Sequence, residues 1–279
     1  MHMMNQYATP LASGPIVVKY GGNAIPAHDG SGTGVDPVLA EIAGLRARGQ
    51  AIVLIHGGGP QIDRALAERN IATVRIEGMR VTDAPTLQTT EAVLCGSVNK
   101  RLVRECVALG MRAVGISGQD GGTLVASQLH APNGADLGYV GNVVSCDSGL
   151  VRMLLAGEYL PVIAPLAIAT DASHAFNVNA DLAAAAIAGA LQASAFVLVT
   201  NVARVLRDPA DPASGIAHLN VDEAQAFLQS DACREGMKPK IAAAIAALQK
   251  GASATYICAS SGLTTLHNAI AHRSATIIT

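Results

Sequence analysis

The residues Ile16-Val17-Val18-Lys19-Tyr20-Gly21-Gly22-Asn23 give the clearest indication of the fold, because a short apolar run typical of a buried strand leads directly into paired glycines. The same design returns in Ala51-Ile52-Val53-Leu54-Ile55, which is followed by His56-Gly57-Gly58-Gly59-Pro60. Between them, residues 36–48 carry a helical apolar pattern that opens with an N-capping Asp36 and a first-turn Pro37. Strand, helix and strand in this order predict α/β units on a mainly parallel sheet.

Outward from these stretches, apolar runs and helical patterns continue to alternate. Further strands are predicted at residues 112–116, 124–127, 139–144, 160–164, 195–199, 255–258 and 275–278. Further helices are predicted at residues 61–68, 85–108, 147–156, 181–191, 221–228 and 240–249. Asn133-Gly134 is typical of a hairpin turn between the strands at 124–127 and 139–144. The irregular residues 169–175 are the best candidate for a boundary between two lobes.

The composition excludes several classes of protein. The 279 residues are 50% hydrophobic with a formal net charge of −2, which excludes disorder and gives no electrostatic reason to expect nucleic acid or an anionic membrane as partner. Trp is absent and Phe occurs three times, so the core is aliphatic and few side chains could stack on bases. The alanine-rich, uncharged residues 182–203 are interpreted as a buried helix and strand, not a membrane span.

The cysteines and the N-terminus favour a cytoplasmic protein. Five cysteines without zinc or redox spacing do not make a disulfide framework, which suits a reducing compartment. The first residues also lack the basic and apolar regions of a signal peptide.

Both glycine clusters follow predicted strands, and the carboxyl ends of parallel strands meet at one edge of a sheet. Glycines there allow backbone amides to approach an anion, and the following helix adds a favourable dipole. A tight strand-to-helix turn would explain either cluster alone. Their pairing, with Lys19 just before the first, favours a phosphate site.

Two further segments place polar side chains just ahead of helices. In Asn177-Val178-Asn179-Ala180-Asp181, alternation directs the two asparagines the same way, and Asp181 is either a helix N-cap or a functional carboxylate. In Gly236-Met237-Lys238-Pro239-Lys240, the lysines oppose the dipole of the helix that they open. Such a conflict with a local rule is typical of a functional position.

The remaining polar residues give weaker signals. Arg80 is isolated in a loop, where an arginine is usually a solvated surface group. His56 is interpreted as a core or loop histidine rather than a base. The other histidines form no metal-spaced set, and no Gly-x-Ser-x-Gly elbow supports a hydrolase.

Taken together, the motifs resemble the N-acetylglutamate kinases of the amino acid kinase family. The resemblance extends over about residues 16–260 and is carried by Lys19-Tyr20-Gly21-Gly22-Asn23, His56-Gly57-Gly58-Gly59-Pro60-Gln61-Ile62, Gly78-Met79-Arg80-Val81-Thr82, Asn177-Val178-Asn179-Ala180-Asp181 and Gly236-Met237-Lys238-Pro239-Lys240. It implies a three-layer αβα fold with an open, mainly parallel sheet and two lobes around a cleft. Residues 1–175 would bind the acceptor N-acetyl-L-glutamate and form a homodimer, and residues 176–279 would bind ATP.

Enzymes of this kind transfer the γ-phosphoryl group of ATP to a side-chain carboxylate. The carboxylate is already ionised at neutral pH, so the reaction needs positive charge and positioning instead of a general base. The resemblance implies that Lys19 and Lys240 flank the transferred group and that Asp181 orients both lysines. Mg²⁺ would bridge the ATP phosphates and be held mainly by the nucleotide, and the chain itself shows no metal-binding set.

The resemblance also implies which residues bind the substrates. Arg80, with its two-pronged guanidinium, would clamp the α-carboxylate of the acceptor. The implied sets are Gly21, Gly22 and Gly57 for phosphate, Gly58, Gly59, Arg80 and Asn177 for the acceptor, and Asn201, Val202, Arg204 and Leu206 for the nucleotide.

Departures from the family's pattern leave alternatives open. Asn201-Val202-Ala203-Arg204-Val205 stands where the family usually has Asp-Val-x-Gly-Val, so Arg204 replaces a glycine beside the expected adenine-ribose site. One alternative is a paralogue that phosphorylates another N-blocked acidic amino acid, of the aminoadipate type. The other is a non-catalytic family member that only binds ligand, against which the intact Lys19, Asp181 and Lys240 argue.

For regulation, we expect a dimer, formed through the helix at 85–108, without feedback inhibition by arginine. Arginine-sensitive relatives use an N-terminal helix to link dimers into a ring, whereas residues 1–15 contain Pro10 and Pro15 and show no helical apolar period. Residues 262–279 carry Arg273 as their one charged group besides histidines, which would repel a cationic effector.

Overall fold

The computed structural model describes residues 14–22, 24–25, 35–234, 236–260, 265–270 and 274–279. The strands are β1 Ile16–Tyr20, β2 Ile52–His56, β3 Arg75–Ile76, β4 Met79–Arg80, β5 Ala113–Ser117, β6 Leu124–His130, β7 Asp136–Cys146, β8 Leu160–Ala164, β9 Leu166–Ala169, β10 Ala175–Val178, β11 Ala195–Thr200, β12 His218–Leu219, β13 Thr255–Ala259 and β14 Thr276–Ile278. The helices are α1 Pro37–Arg46, α2 Gly59–Glu68, α3 Ala84–Glu91, α4 Asn99–Ala108, α5 Gly149–Ala156, α6 Ala180–Leu191, α7 Val221–Leu228, α8 Lys238–Gln249 and α9 Thr265–Ile270.

The main sheet has eight strands in the order β12-β14-β13-β11-β1-β2-β8-β5, and every neighbouring pair is parallel except β13 and β14. Strand β1 lies near the middle, between β11 and β2. Tyr20 is in register with Val199 of β11 and with His56 of β2. The three strands therefore end at the same level, and the segments that follow them meet at one edge of the sheet.

Two hydrophobic cores lie on opposite faces of this sheet. Alternate residues of β1 face opposite ways, with Val17 in the core beneath α6 and α8, and Val18 in the core beneath α1, α2 and α4. The predicted three-layer α/β architecture is confirmed. Asp36 caps α1 as expected, since its Oδ1 accepts hydrogen bonds from the amides of Val38 and Leu39 at 2.9 and 3.1 Å.

The alanine-rich stretch at 182–203 forms α6 and β11, as the sequence indicated, with α6 buried against α8 and the sheet. Among the described residues, none of the helices combines the length and the hydropathy that a membrane crossing requires. The five cysteines are all free thiols.

A second, smaller sheet differs from the sequence expectations. Strands β6 and β7 form the predicted hairpin, but they close into a four-stranded barrel with β9 and β10. Residues 170–174 are the turn between β9 and β10, so the candidate lobe boundary lies within this barrel. Strands β3 and β4 were not predicted, because each has only two residues, which is too short to show the alternation of a strand. Their turn contains Glu77 and Gly78 at positive φ of 49° and 77°.

The helix predicted at 85–108 is interrupted. Residues Ala92–Val98 between α3 and α4 form a π-helical segment, a rare feature that often occurs near functional sites. Directly after it, Asn99 is buried beneath the sheet. The expectations on arginine regulation rest mainly on residues 1–13 and 271–273, which lie outside the described residues.

Candidate active site

The two glycine turns pack against each other, which explains why both are glycine. A Cβ added to Gly22 would lie 2.7 Å from the amide nitrogen of Gly58, and one added to Gly57 would lie 2.8 Å from the amide nitrogen of Gly22. Distances this short leave no room for any side chain. The two turns therefore act as one unit at the carboxyl edge of the sheet.

The amides of these turns fall into two groups. Gly21 donates to the carbonyl of Val199 at 3.2 Å and Gly57 donates to that of Tyr20 at 2.9 Å, so both are used within the sheet. The amides of Gly22, Gly58 and Gly59 make no backbone hydrogen bond to another described residue, and α2 begins here without a side-chain cap. Gly58 and Gly59 lie at the N-terminus of α2, where donors without a backbone partner are suited to an anion, and the Gly22 amide lies in the adjacent turn.

Three charged side chains lie beside the turns. Lys19 Nζ is 2.7 Å from Asp181 Oδ1, and Lys240 Nζ is 3.4 Å from Asp181 Oδ2. We call this set the buried charge cluster; Lys19 and Asp181 are 7% and 5% exposed. Burial by itself raises the pKa of Asp181, but the two ammonium groups outweigh it and hold that pKa below its usual value. The cluster thus carries one excess positive charge, which suits a phosphoryl group.

The local structure corrects the N-cap interpretation of Asp181. The N-cap of α6 is Asn179, whose Oδ1 accepts hydrogen bonds from the amides of Asp181 and Leu182 at 2.8 and 3.3 Å. The Asp181 carboxylate is therefore free to bind the lysines. Lys240 donates to the carbonyl of Gly236 at 3.1 Å as well as pairing with Asp181, which offsets the unfavourable dipole at the start of α8.

Arg80 is not the solvated surface group that an isolated arginine usually is, since it is only 7% exposed. Its Nη1 donates to Asp63 Oδ1 at 2.5 Å, and its Nη2 donates to the carbonyl of Gly59 at 3.3 Å. Partial burial raises the pKa of Asp63, but hydrogen bonds and charge from Arg80 and Arg75 lower it further than burial raises it. Arg80 and Asp63 form the second charged cluster, which we call the arginine clamp.

Asn177 is connected to this clamp through Thr82. Asn177 Nδ2 donates to Thr82 Oγ1 at 3.3 Å, and Thr82 Oγ1 donates to the carbonyl of Arg80 at 3.0 Å. Gly138, at a φ of +66°, passes so close to the Thr82 carbonyl that a Cβ there would collide with it. The structure therefore connects Arg80 to the second glycine turn directly and to Asn177 through Thr82.

Sequence reasoning missed Asp63 and Thr82. Asp63 lies one helical turn after Gly59 in α2, so the spacing of four residues was an available signal. Thr82 belongs to the motif Gly78-Met79-Arg80-Val81-Thr82, but the sequence assigns it no role, because a threonine beside a strand is typical of ordinary β structure. His56 is fully buried, which confirms its interpretation as a core histidine, and burial lowers its pKa to about 4.

The predicted nucleotide residues follow β11, the neighbour of β1. Asn201 is exposed, while Val202, Arg204 and Leu206 are half-buried. Leu206 forms an isolated bridge with Gly215, and a Cβ on Gly215 would lie 3.2 Å from Arg204 Cδ. Because Gly215 has no side chain, there is room beside it for Arg204, which stands where the family usually has a glycine.

Both oxygens of Asp181 lie next to ammonium groups, so this carboxylate is not arranged to bind a metal ion. Within the part of the chain that the structure describes, no three His, Cys, Asp or Glu side chains are grouped as a metal site.

The sequence matches the family model described as amino acid kinase family over residues 14–259. It is 38% identical to a protein named acetylglutamate kinase from Brevibacillus brevis, over 88% of this chain and 89% of that protein. It is 41% identical to the chloroplastic acetylglutamate kinase of Arabidopsis thaliana, over 85% of this chain and 66% of that protein.

Among solved structures, the fold is similar to N-acetylglutamate synthase from Neisseria gonorrhoeae complexed with coenzyme A and N-acetyl-glutamate. The TM-score is 0.78 at 25% identity, and the match covers 95% of this chain and 59% of that one.

Proposed function

The chain belongs to the amino acid kinase family, and from this premise we propose that it transfers the γ-phosphoryl group of ATP to the side-chain carboxylate of N-acetyl-L-glutamate. The product would be an acyl phosphate, as in arginine biosynthesis. The observation that carries the proposal is the buried charge cluster, Lys19, Asp181 and Lys240, beside the open amides of the glycine turns. Relatives named acetylglutamate kinase support the choice of acceptor.

The order of the strands supports separate acceptor and nucleotide sites on either side of β1. Strand β2 leads into the second glycine turn and the arginine clamp, which would hold the acceptor, while β11 leads into residues 201–206, which would hold the nucleotide. Lys19 lies on β1 between the two. A phosphoryl group passing from nucleotide to acceptor would therefore cross the position of Lys19.

The chemistry follows from the charges. An oxygen of the acceptor carboxylate attacks the γ-phosphorus, the new carboxyl–phosphate bond forms, and the bond from the γ-phosphorus to the β,γ-bridging oxygen breaks to release ADP. No proton is removed from the acceptor, so no base is required. Lys19, Lys240 and the open amides would stabilise negative charge that develops during transfer. Asp181, ionised and held between two lysines, orients them.

Arg80 and Asn177 would select the acceptor. The Arg80 guanidinium, held by Asp63 and the Gly59 carbonyl, would bind the α-carboxylate. Asn177 lies next to Thr82 and could hydrogen-bond the acetylated amino group through its amide oxygen.

The proposal also includes magnesium, a homodimer and a cytoplasmic location. Mg²⁺ bound to the ATP phosphates would neutralise part of their charge. We place acceptor binding and homodimerisation in residues 1–175 and nucleotide binding in residues 176–279, and we infer that the dimer forms through α3 and α4. The free thiols are compatible with the cytoplasm.

Acyl-phosphate trapping tests the proposed function. The protein is incubated with ATP, Mg²⁺ and hydroxylamine, and hydroxamate is measured with N-acetyl-L-glutamate, glutamate, aspartate and N-acetyl-aminoadipate as separate acceptors. We expect product with N-acetyl-L-glutamate, and none from the Lys19→Ala variant. Product with another acceptor alone would select the paralogue, and no product with any of them would leave a ligand-binding protein.

A further inference from the structure

His56, directly before the second glycine turn, is a fully buried histidine with a partner on each ring nitrogen. Its Nδ1 lies 3.0 Å from the carbonyl oxygen of Gly57, and its Nε2 lies 3.1 Å from Nδ2 of Asn99. Asn99 is itself 1% exposed and is the first residue of α4, immediately after the π-helical segment. The proposed function uses neither side chain.

The partners determine which nitrogen carries the proton. Asn99 Nδ2 lies 2.9 Å from the carbonyl oxygen of Val162, which can only accept, so this end of the side chain is the amide NH₂. Its oxygen correspondingly accepts from Lys100 Nζ at 3.2 Å. Asn99 Nδ2 also lies 3.3 Å from the carbonyl oxygen of Ile116, so its two hydrogens are shared among three acceptors. The Gly57 carbonyl can only accept, so Nδ1 of His56 carries a proton, and Nε2 faces an amide NH₂, so it does not. The ring that fits both neighbours is neutral, with Nδ1–H donating to Gly57.

This hydrogen bond has a consequence one peptide further on. In a trans peptide, the carbonyl of Gly57 and the amide of Gly58 point in opposite directions. Because the carbonyl is held towards His56, the Gly58 amide points away from the ring. The Gly58 nitrogen lies next to Gly22, since a Cβ on Gly22 would lie 2.7 Å from it.

We propose that His56 and Asn99 are positioning residues that hold the Gly57–Gly58 peptide so that the Gly58 amide is presented to an anion site beside the glycine turns. The inference rests on the proposed function, because the anion would be the acceptor carboxylate or the transferred phosphoryl group. Gly115 supports the same arrangement. A Cβ there would collide with Asn99 Oδ1, so the glycine leaves room for the asparagine side chain.

The surroundings keep the ring neutral. Burial lowers the pKa of His56, and the positive charges of Lys100 and Arg101 lower it further, although the bond to Gly57 favours protonation. Lys100 is fixed on the Gly115 carbonyl at 2.8 Å. The neutral ring should therefore persist through the pH range around 6.5 in which a solvent-exposed imidazole becomes protonated.

The tautomer can be measured in the wild-type protein, without a variant that must fold. Long-range ¹H–¹⁵N correlation spectra of ¹⁵N-histidine-labelled protein distinguish Nδ1–H from Nε2–H rings, and the His56→Asn spectrum identifies the His56 signals. We expect a neutral Nδ1–H ring from pH 8 down to about pH 5, in keeping with the depressed pKa. An Nε2–H ring, or protonation above pH 6, would overturn the proposal.

A pair of variants tests the consequence for catalysis. His56→Leu removes the donor to Gly57, whereas His56→Asn places an amide NH₂ near the position of Nδ1. We expect His56→Leu to lower kcat by about 10²-fold, because the Gly57–Gly58 peptide would shift by about an ångström. His56→Asn should retain most of the wild-type kcat. Both variants are compared at matched folded fraction after urea unfolding. Equal losses in the two variants, or losses that follow stability alone, would contradict a positioning role.

The two proposals can fail separately. If the wild-type protein forms no acyl phosphate, the proposed function fails, and the Gly58 amide resonance is then followed on adding a non-hydrolysable ATP analogue. A large shift in wild type that is lost in His56→Leu and regained in His56→Asn supports the positioning role for any anion. If the enzyme is active but both variants match wild type, only the positioning role fails.

Discussion

The two charged clusters of the site are built in opposite ways. In the buried charge cluster, an almost completely enclosed Asp181 is held between ammonium groups from β1 and α8. In the arginine clamp, the cation is enclosed and its partner Asp63 has a side chain that is 41% exposed. In the proposed function, the first arrangement keeps two cations in place beside the transferred phosphoryl group. The second fixes the orientation of one guanidinium, through Asp63 and the Gly59 carbonyl, for the carboxylate of the acceptor.

The largest loss of activity is expected at the buried charge cluster. Lys240→Ala should lower kcat by about 10²–10³-fold with little change in the KM of the acceptor, because its charge acts mainly in the transition state. Lys250→Ala, at the exposed end of the same helix, is the matched control and should behave as wild type. An unchanged kcat in Lys240→Ala would remove that lysine from the transfer step.

At the arginine clamp we expect the opposite kinetic pattern. Arg80→Lys should raise the KM of the acceptor by about 10-fold to 10²-fold and change kcat less, because a point charge replaces a two-pronged donor. Initial rates at saturating ATP measure this effect. If the KM of ATP rises instead, Arg80 belongs to the nucleotide half of the site.

Acid unfolding tests the ion pairs of Asp181. The pKa of Asp181 is depressed in the folded protein, so the stability that it contributes is present above the pKa of about 3.8 of the unfolded chain and is lost as pH falls further. Asp181→Asn should therefore flatten the dependence of the unfolding free energy on pH below about pH 4, by up to about 1.4 kcal/mol per pH unit. Urea unfolding between pH 5 and pH 2 measures the slope, and parallel curves for wild type and variant would contradict the ion-pair account.

The smallest effect is expected at Asp63. Asp63→Asn keeps a hydrogen-bonding group beside Arg80, and solvent screens the lost charge, so the KM of the acceptor should rise only about threefold. Arg75→Ala, which removes the exposed partner of Asp63, should leave the KM unchanged. A rise in the KM of the acceptor as large as that expected for Arg80→Lys would mean that Asp63 itself contacts the acceptor.

Much of the fold could be predicted because its signals are local. The strands at 16–20 and 160–164 are short apolar runs bounded by turn residues, and the structure has both with the predicted bounds. The barrel could not be predicted, since β9 gains its strand character only by pairing with β6 and β10. Likewise, the π-helical segment within the predicted helix at 85–108 has no distinct sequence period.

The α/β class, the two glycine turns and the charged residues beside them could be predicted from the sequence, because periodicity, glycine and charge are properties of neighbouring residues. Which of these residues meet depends on the tertiary structure. Asp181 lies between Lys19 and Lys240, Asp63 accepts from Arg80, and Asn99 lies against Nε2 of His56. These contacts join residues 17 to 162 positions apart, and their geometry depends on strand order and helix packing, which no local pattern encodes.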